Sequence, residues 1–311
     1  MVENPEIRKI LFTTDFSECS ETPKRFAVFL AQSYKAELLV MHVIERAAIG
    51  AQAYFENIPI TPIYDQLKNN VEIQMSKQFT NEEHDAVSIT EIIEHGNTVQ
   101  AITDCAQEAK ADIIVMGTHG RCGLNHAIMG SVAEKVVRSA PCPVLTIRNT
   151  GMGPRIQNVL FSTDFSEYSF SALPYAIEIA RKFRAKLHQV YVIEPFSYDP
   201  LNPDRYFPDD KLFEYVENSA HDLFQTLSKV SNDRGVEITQ EVIAGLSPHQ
   251  EILSYVNENL IDLVVMATRG RSGLKYMLLG STTERIIRLA PCPVLSVKTF
   301  KDSTSKIKTS Q

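Results

Sequence analysis

Met116-Gly-Thr-His-Gly-Arg-Cys-Gly-Leu-Asn-His-Ala-Ile-Met-Gly-Ser131 is the stretch on which the reading of this chain turns. An apolar run, Ile113–Met116, feeds directly into Gly117, Gly120 and Gly123, and nine residues separate Gly120 from Gly130. Ser131 opens a helix-like segment, and Ser131-x-x-Glu134 has the spacing of a capping box, which predicts a helix N-terminus there. A buried strand, a glycine-rich loop and a helix start suit an anion. Glycines let the backbone approach closely, and the first N–H groups of a helix lack internal partners. The stretch therefore reads as a phosphate cradle, with a plain strand-to-helix turn as the alternative.

Residues 266–281 repeat it. Gly270, Gly273, Gly280 and Ser281 stand 150 positions after Gly120, Gly123, Gly130 and Ser131, and Ser281-x-x-Glu284 repeats the helix signal. Ile10–Glu18 matches Val159–Glu167, and Pro141–Leu145 matches Pro291–Leu295. The chain is thus one duplicated unit of about 150 residues, a normal domain size. The expected boundaries are 1–150 and 151–300, joined by the Gly/Pro-containing linker 148–156, with a polar, disordered tail at 301–311.

Each unit alternates apolar strands with helical periodicity. In the first, Ile10–Thr13 is a strand, and Ser17 is placed to cap the following helix, about Ser20–Tyr34. Glu37–Ile44 is a nearly continuous apolar strand, of the kind buried inside parallel sheets. A loop over Ala47–Pro62, a helix over Tyr64–Phe79, a strand over Ala86–Glu94 and a helix over Thr98–Ala109 follow. Asp112–Met116 leads into the glycine loop, Ser131–Ser139 is the last helix, and Val144–Ile147 the last strand. The second unit repeats this order, with helices expected over Ser169–Phe183, Lys211–Ser231 and Pro248–Asn257. The fold class is α/β: two tandem open parallel-sheet domains related by internal duplication.

Composition narrows the functions. All 311 residues carry a formal charge of −7, which argues against a general nucleic-acid binder. No apolar run approaches the roughly 20 residues that span a bilayer, and the first ten residues lack a signal-peptide core, so the expected location is the cytoplasm without membrane attachment. The five cysteines, Cys19, Cys105, Cys122, Cys142 and Cys292, are odd in number and scattered, as reduced thiols are. Cys142 and Cys292 each sit between two prolines at equivalent positions, which assigns them a structural role in a helix-to-strand turn.

In open α/β sheets, ligands sit beyond the carboxyl ends of strands where the strand order reverses. The first strand ends in Thr13, Thr14 and Asp15; the fourth ends in Met116 and Gly117 and leads to Gly120. If those strands are neighbours, the segments face one crevice. Asp15 is then a candidate for ribose hydroxyls, the glycine and helix-start N–H groups for phosphates, Ser131 for a further hydroxyl and Arg121 for a positive charge. For Asp15, recurring as Asp164, local capping of the next helix stands equally beside the ligand role. A dinucleotide fingerprint is excluded because the first strand-to-helix turn has no glycine, and a Walker loop because no Gly-Lys-Ser or Gly-Lys-Thr follows.

These residues resemble the universal stress protein family in its tandem form. Gly117-Thr-His-Gly120, nine residues and Gly130-Ser131 match that family's G-x-x-G, nine residues, G-S/T pattern. The openings Phe12–Glu18 and Phe161–Glu167, His42-Val-Ile44 and the closing Pro-Cys-Pro-Val-Leu segments resemble it too, over nearly the whole chain. The resemblance implies an adenine nucleotide alpha hydrolase-like fold with strand order 3-2-1-4-5, and a homodimer. It implies an adenine nucleotide as ligand (ATP, ADP or AMP), with magnesium as an accompanying ion. By the same resemblance Asp15 contacts ribose, Val43 lies near adenine, and Gly117, His119, Gly120, Gly130, Ser131 and Val132 hold phosphates. Asp164, Val192, Gly270, Gly280, Ser281 and Thr282 take those roles in the second unit. Ala267 stands where the first glycine belongs. A methyl there matters if the backbone has positive φ or touches a ligand, and not if it is extended. The first unit is therefore the better expected site.

The function expected is nucleotide binding in a stress response, by binding or signalling rather than fast catalysis. A slow ATP hydrolase is one alternative, although no nucleophile elbow or clustered loop carboxylates appear. Zinc on His119, Cys122 and His126 is another, with Arg269, Ser272 and Tyr276 at the second unit's counterparts. An interaction scaffold is the third, with Phe196–Asp210 as the segment that differs most between units; its composition identifies no protein partner.

Overall fold

The computed structural model describes residues 4–45, 60–118, 129–149, 153–194, 217–225, 227, 235–269 and 279–298. The chain divides into two compact units, one running Glu6–Pro154 and the other from Arg155 onward. In the N-terminal unit the elements are β1 (Lys9–Thr13), α1 (Glu21–Tyr34), β2 (Glu37–Glu45), α2 (Ile60–Ser76), α3 (Asn81–Ala86) and β3 (Ile89–Gly96). They continue with α4 (Thr98–Glu108), β4 (Ile113–Gly117), α5 (Ser131–Ser139) and β5 (Val144–Ile147). The strands lie in the order β3-β2-β1-β4-β5, every neighbouring pair parallel. The chain winds outward from β1 to one edge and then crosses back to β4, so β1 and β4 are neighbours.

The C-terminal unit repeats this with β6 (Asn158–Ser162), α6 (Glu167–Phe170), α7 (Leu173–Phe183), β7 (Lys186–Ile193), helical residues 217–225 and β8 (Ile238–Ala244). It ends with α8 (Pro248–Glu258), β9 (Leu263–Ala267), α9 (Ser281–Leu289) and β10 (Val294–Val297). Its order is β8-β7-β6-β9-β10, again parallel. The α/β class, the internal duplication and the 3-2-1-4-5 order are as expected.

Consecutive apolar residues are buried along the central strands: Ile10, Leu11 and Phe12 in one unit, Val159, Leu160 and Phe161 in the other. Side chains alternate faces along a strand, so burial without alternation means that helices cover both faces. A carboxylate closes the amino-end edge of each sheet. Asp112 Oδ2 accepts from the N–H groups of Arg8 and Lys9 at 2.7 and 2.8 Å, and Asp262 Oδ2 accepts from Gln157 and Asn158 at 2.7 and 2.9 Å. Left-handed turns are duplicated as well. Phe16 and Phe165, Lys35 and Arg184, and Lys110 and Leu260 all have φ between 49° and 60°.

Some boundaries differ from the sequence reading. The third strand starts at Ile89 rather than Ala86, because Asn81–Ala86 forms a short helix. A reciprocal capping box starts it: Thr80 Oγ1 accepts from Glu83 N–H and the Glu83 carboxylate accepts from Thr80 N–H. Ser17 does not cap α1. A 3-10 turn, Glu18–Ser20, intervenes, and Asp15 holds Ser17. The helix expected over Ser169–Phe183 is two, α6 and α7. Most of the loop expected at Ala47–Pro62, the segment Phe196–Asp210 and the tail lie outside the described residues. Among the described residues, no helix is long and apolar enough to cross a membrane. Burial pushes the thiols of Cys142 and Cys292 up to about 12, so both stay protonated and inert near neutral pH.

The C-terminal unit buries a polar trio. His188, 5% exposed, places Nδ1 2.9 Å from Tyr255 Oη and Nε2 3.4 Å from Asn158 Oδ1. Burial, helped by Lys186 and partly opposed by Glu237, holds the imidazole below its ordinary value. A base whose folded pKa is depressed stabilises the fold above its unfolded pKa and loses that contribution as pH falls. The C-terminal unit should therefore lose stability as pH drops below about 6.5, and His188→Leu, which installs the residue type found at Leu39, should flatten that dependence. Urea midpoints measured across pH check this; an unchanged slope in the variant refutes it.

Candidate functional site

The candidate site is assembled at the carboxyl ends of β1 and β4. Register pairs Ile10 with Ile113 and Phe12 with Val115, so the turn after Thr13 and the segment after Gly117 leave the same edge of the sheet. The β1 turn is held from within. Thr14, 7% exposed, accepts at Oγ1 from Phe16 N–H and from Gln78 Nε2, both at 3.0 Å, and donates to Ser20 Oγ at 3.3 Å. The buried His42 ring sets Nδ1 2.8 Å from the Thr14 carbonyl and stacks on Phe16 at 4.6 Å. Phe16 is forced to φ 60°, which turns the chain sharply. Asp15, half-buried, uses Oδ1 to accept from Ser17 N–H and Ser17 Oγ at 3.0 and 2.6 Å.

The β4 side is a closed neck. Met116 is buried, Gly117 pairs with Ile147 in the sheet, and Thr118 is buried and donates its N–H to Ile147 O. Gly130 N–H donates to Thr118 O at 2.7 Å, tying the loop's return point to its departure point. Helix α5 starts immediately. Gly130, not a serine, is its N-cap, with φ −60° and ψ 139° and no side-chain cap. The capping-box reading is corrected here: Ser131 is the first helical residue, and Glu134 pairs with Arg138 at 2.7 Å. The consequence favours a ligand. The helix start presents N–H groups that no capping side chain occupies, beside an exposed Ser131 and a half-exposed Val132.

The C-terminal unit has the same architecture. Asp164 Oδ1 accepts from Ser166 N–H and Oγ at 3.0 and 2.6 Å, and Thr163 Oγ1 accepts from Phe165 N–H at 2.9 Å. Gly280 N–H donates to Thr268 O at 2.8 Å and caps α9, making Ser281 the first helical residue rather than the cap. Ala267 pairs with Val297 as the last residue of β9. Its backbone is extended, so the alanine brings no strain, and Gly117 occupies the same kind of strand position. At the expected adenine contact, Val43 is partly buried and Val192 is 9% exposed.

Of the residues singled out in the sequence, Thr13, Asp15, Val43, Gly117, Gly130, Ser131 and Val132 come to the carboxyl edge of one sheet. Asp164, Val192, Gly280, Ser281 and Thr282 do so in the other. Thr14 is buried and committed to the turn. His119, Gly120, Arg121, Cys122, His126 and Gly270 lie outside the described residues, and the zinc reading with them. Among the described residues, no group of three or more His, Cys, Asp or Glu side chains is placed to hold a metal. Sequence reasoning assigned no role to Gln78, nor to His42 and the pair Thr118/Thr268, although His42 and Thr118 stood within the motifs it quoted. The threonines were visible as the residue after Gly117 and Ala267 in both repeats. Gln78 comes from a distant helix end and carried no signal.

An open cavity of about 1010 Å³ adjoins the start of α5. Ser131, Val132 and Lys135 line one side, and Glu45, Glu94 and Asp104 face them. Cys105 lies in it, its thiol pushed up by burial and by Glu94 and Glu108.

The sequence model of the Universal stress protein family matches residues 6–148 and again 155–298. The chain belongs to that family, in its tandem two-domain form. It is 32% identical over 142 residues to a universal stress protein of Methanocaldococcus jannaschii, spanning 46% of this chain and 82% of that protein. A universal stress protein of Synechocystis sp. is 22% identical over 312 residues, covering 94% of this chain and all of its own length, 100%. The crystal structure of a universal stress protein from Archaeoglobus fulgidus shares the fold, with TM-score 0.69 at 24% identity, covering 95% of this chain and 97% of that one.

The β1 turn gives a direct test. Thr14→Val keeps the shape but strands the Phe16 N–H, and should destabilise the N-terminal unit by about 1–3 kcal/mol. Thr14→Ser should restore most of it. Urea unfolding of the three proteins decides.

Proposed function

We propose that the chain binds an adenine nucleotide (ATP, ADP or AMP) and acts in stress physiology by binding rather than by fast turnover. The observation that carries this reading is the duplicated helix start. At Gly130–Ser131 and Gly280–Ser281 a helix begins on a glycine with no side-chain cap, at the edge where the strand order reverses. Such a terminus favours phosphate through its N–H groups and its dipole. The Asp15 turn leaves β1 on the adjoining strand, where a carboxylate meets ribose hydroxyls.

The N-terminal unit is the stronger site in this reading. Ala267 brings no strain, because its backbone is extended. The preference rests on Gly117 and the full glycine pattern of the first unit, which the second departs from at Ala267. Magnesium would accompany a bound triphosphate, held by the phosphates themselves.

Denaturing the purified protein and quantifying the released nucleotide tests the reading. The expected result is about one adenine nucleotide per chain, abolished by Gly130→Trp and kept by Gly280→Trp. Next to Gly280 the nearest atom to an added Cβ would be Thr268 O at 3.4 Å, an ordinary contact. No released nucleotide, and no binding of added ATP, ADP or AMP, would overturn the proposal.

A further inference from the structure

Helices α8 and α9 bring a second polar cluster together in the C-terminal unit. Arg285 Nη1 lies 3.3 Å from His249 Nδ1, and Ser247 Oγ lies 2.9 Å from the same nitrogen. Guanidinium can only donate, so Nδ1 is the acceptor and the ring is the neutral tautomer with its proton on Nε2. Arg285 has no carboxylate within ion-pair distance among the described residues. One turn further on, Arg288 keeps a buried Nε with no hydrogen-bond partner among them, as Arg138 does at the same place in the N-terminal unit. Ser247 is the N-cap of α8, yet its hydroxyl makes no cap bond and turns to His249 instead.

The surroundings bear on His249 in one direction. Burial, then Arg285 and Arg288, holds its imidazole below the ordinary value. Around α8, Lys186 of β7 acts on His188 and Glu241 of β8 acts on Tyr255. Glu251, on the same helix, lies over Gly245, where an added Cβ would come within 2.3 Å of its Cγ. Glu284 of α9 gives its N–H to Gly280 O. A guanidinium resting on a neutral imidazole satisfies neither group well. An oxyanion placed between them would accept from both, and charge-assisted bonds are about twice as strong as neutral ones.

We propose that His249, Arg285 and Ser247 form an oxyanion site for a phosphate-like dianion, and that His249 takes up a proton when the anion binds. The site belongs to the C-terminal unit alone. Val99 and Lys135 stand at the equivalent positions 150 residues earlier. Val99 has no ring nitrogen to share a proton with an anion, and Lys135 lacks the planar fork of Arg285. The phosphate is either free or the terminal group of a nucleotide. The site does not rest on nucleotide binding, because a small anion suffices to fill it.

Histidine NMR of the full chain tests this, with the His249 signal assigned by its loss in His249→Gln. Sulfate is the first probe because it remains a dianion from about pH 5.5 to about pH 8. The expected result is conversion of His249 to imidazolium on titration, with binding about ten-fold tighter at the lower pH. Arg285→Gln should abolish both effects, Arg285→Lys should keep part of them, and Arg8→Gln should leave them intact. A response to sulfate and inorganic phosphate supports the site with free phosphate as its ligand. A response to ATP alone supports it with a nucleotide's terminal phosphate. No response of His249 to any of the three, or the same response in Arg285→Gln (an adventitious ion only), overturns it.

Discussion

The bond from Gly130 N–H to Thr118 O, and its twin from Gly280 N–H to Thr268 O, is the constraint around which each unit is arranged. It joins the last residue leaving a central strand to the first residue entering a helix. Whatever the intervening segment does, its two ends are fixed, and the helix start is delivered beside the β1 turn. The acceptor threonine is in turn pinned to the neighbouring strand through its own N–H. The glycine is not demanded by backbone torsion, since φ near −60° suits any residue. What glycine supplies is the absence of a side chain at the mouth of the helix, where a serine or aspartate would have capped the N–H groups from within.

The second half of the site depends on a different economy of bonds. One aspartate oxygen folds the turn onto a serine, and a threonine hydroxyl buried beneath accepts the next N–H. The phenylalanine between them sits in a left-handed conformation that side chains disfavour, held by stacking on His42 in one unit and by contact with Tyr191 in the other. Asp15 thus plays the local role read for it in the sequence, shaping its own turn by accepting from Ser17.

Much of this was legible in the sequence because the duplication printed it twice. The strands themselves, the duplication and the glycine-to-helix junction follow from repeated apolar runs and fixed spacings, whereas the strand order, and with it the neighbouring of β1 and β4, came from the family resemblance. The helix cap was not legible. Ser-x-x-Glu looks the same whether serine caps the helix or begins it, and the distinction lies in Gly130 before it and Arg138 after it, which takes Glu134. A true capping box, Thr80 with Glu83, went unread because it begins a six-residue helix between two larger elements.

The three pairs of non-glycine left-handed residues carry a wider meaning. Lys110 and Leu260 share a torsion but no chemistry, so the turn is prescribed by the frame around it and not by the residue that occupies it. A frame that dictates its own joints tolerates drift at its surface. One copy can carry Val99 and Lys135 where the other carries His249 and Arg285 while both keep the same course of chain. Duplication of such a frame yields two independently tunable surfaces from one design.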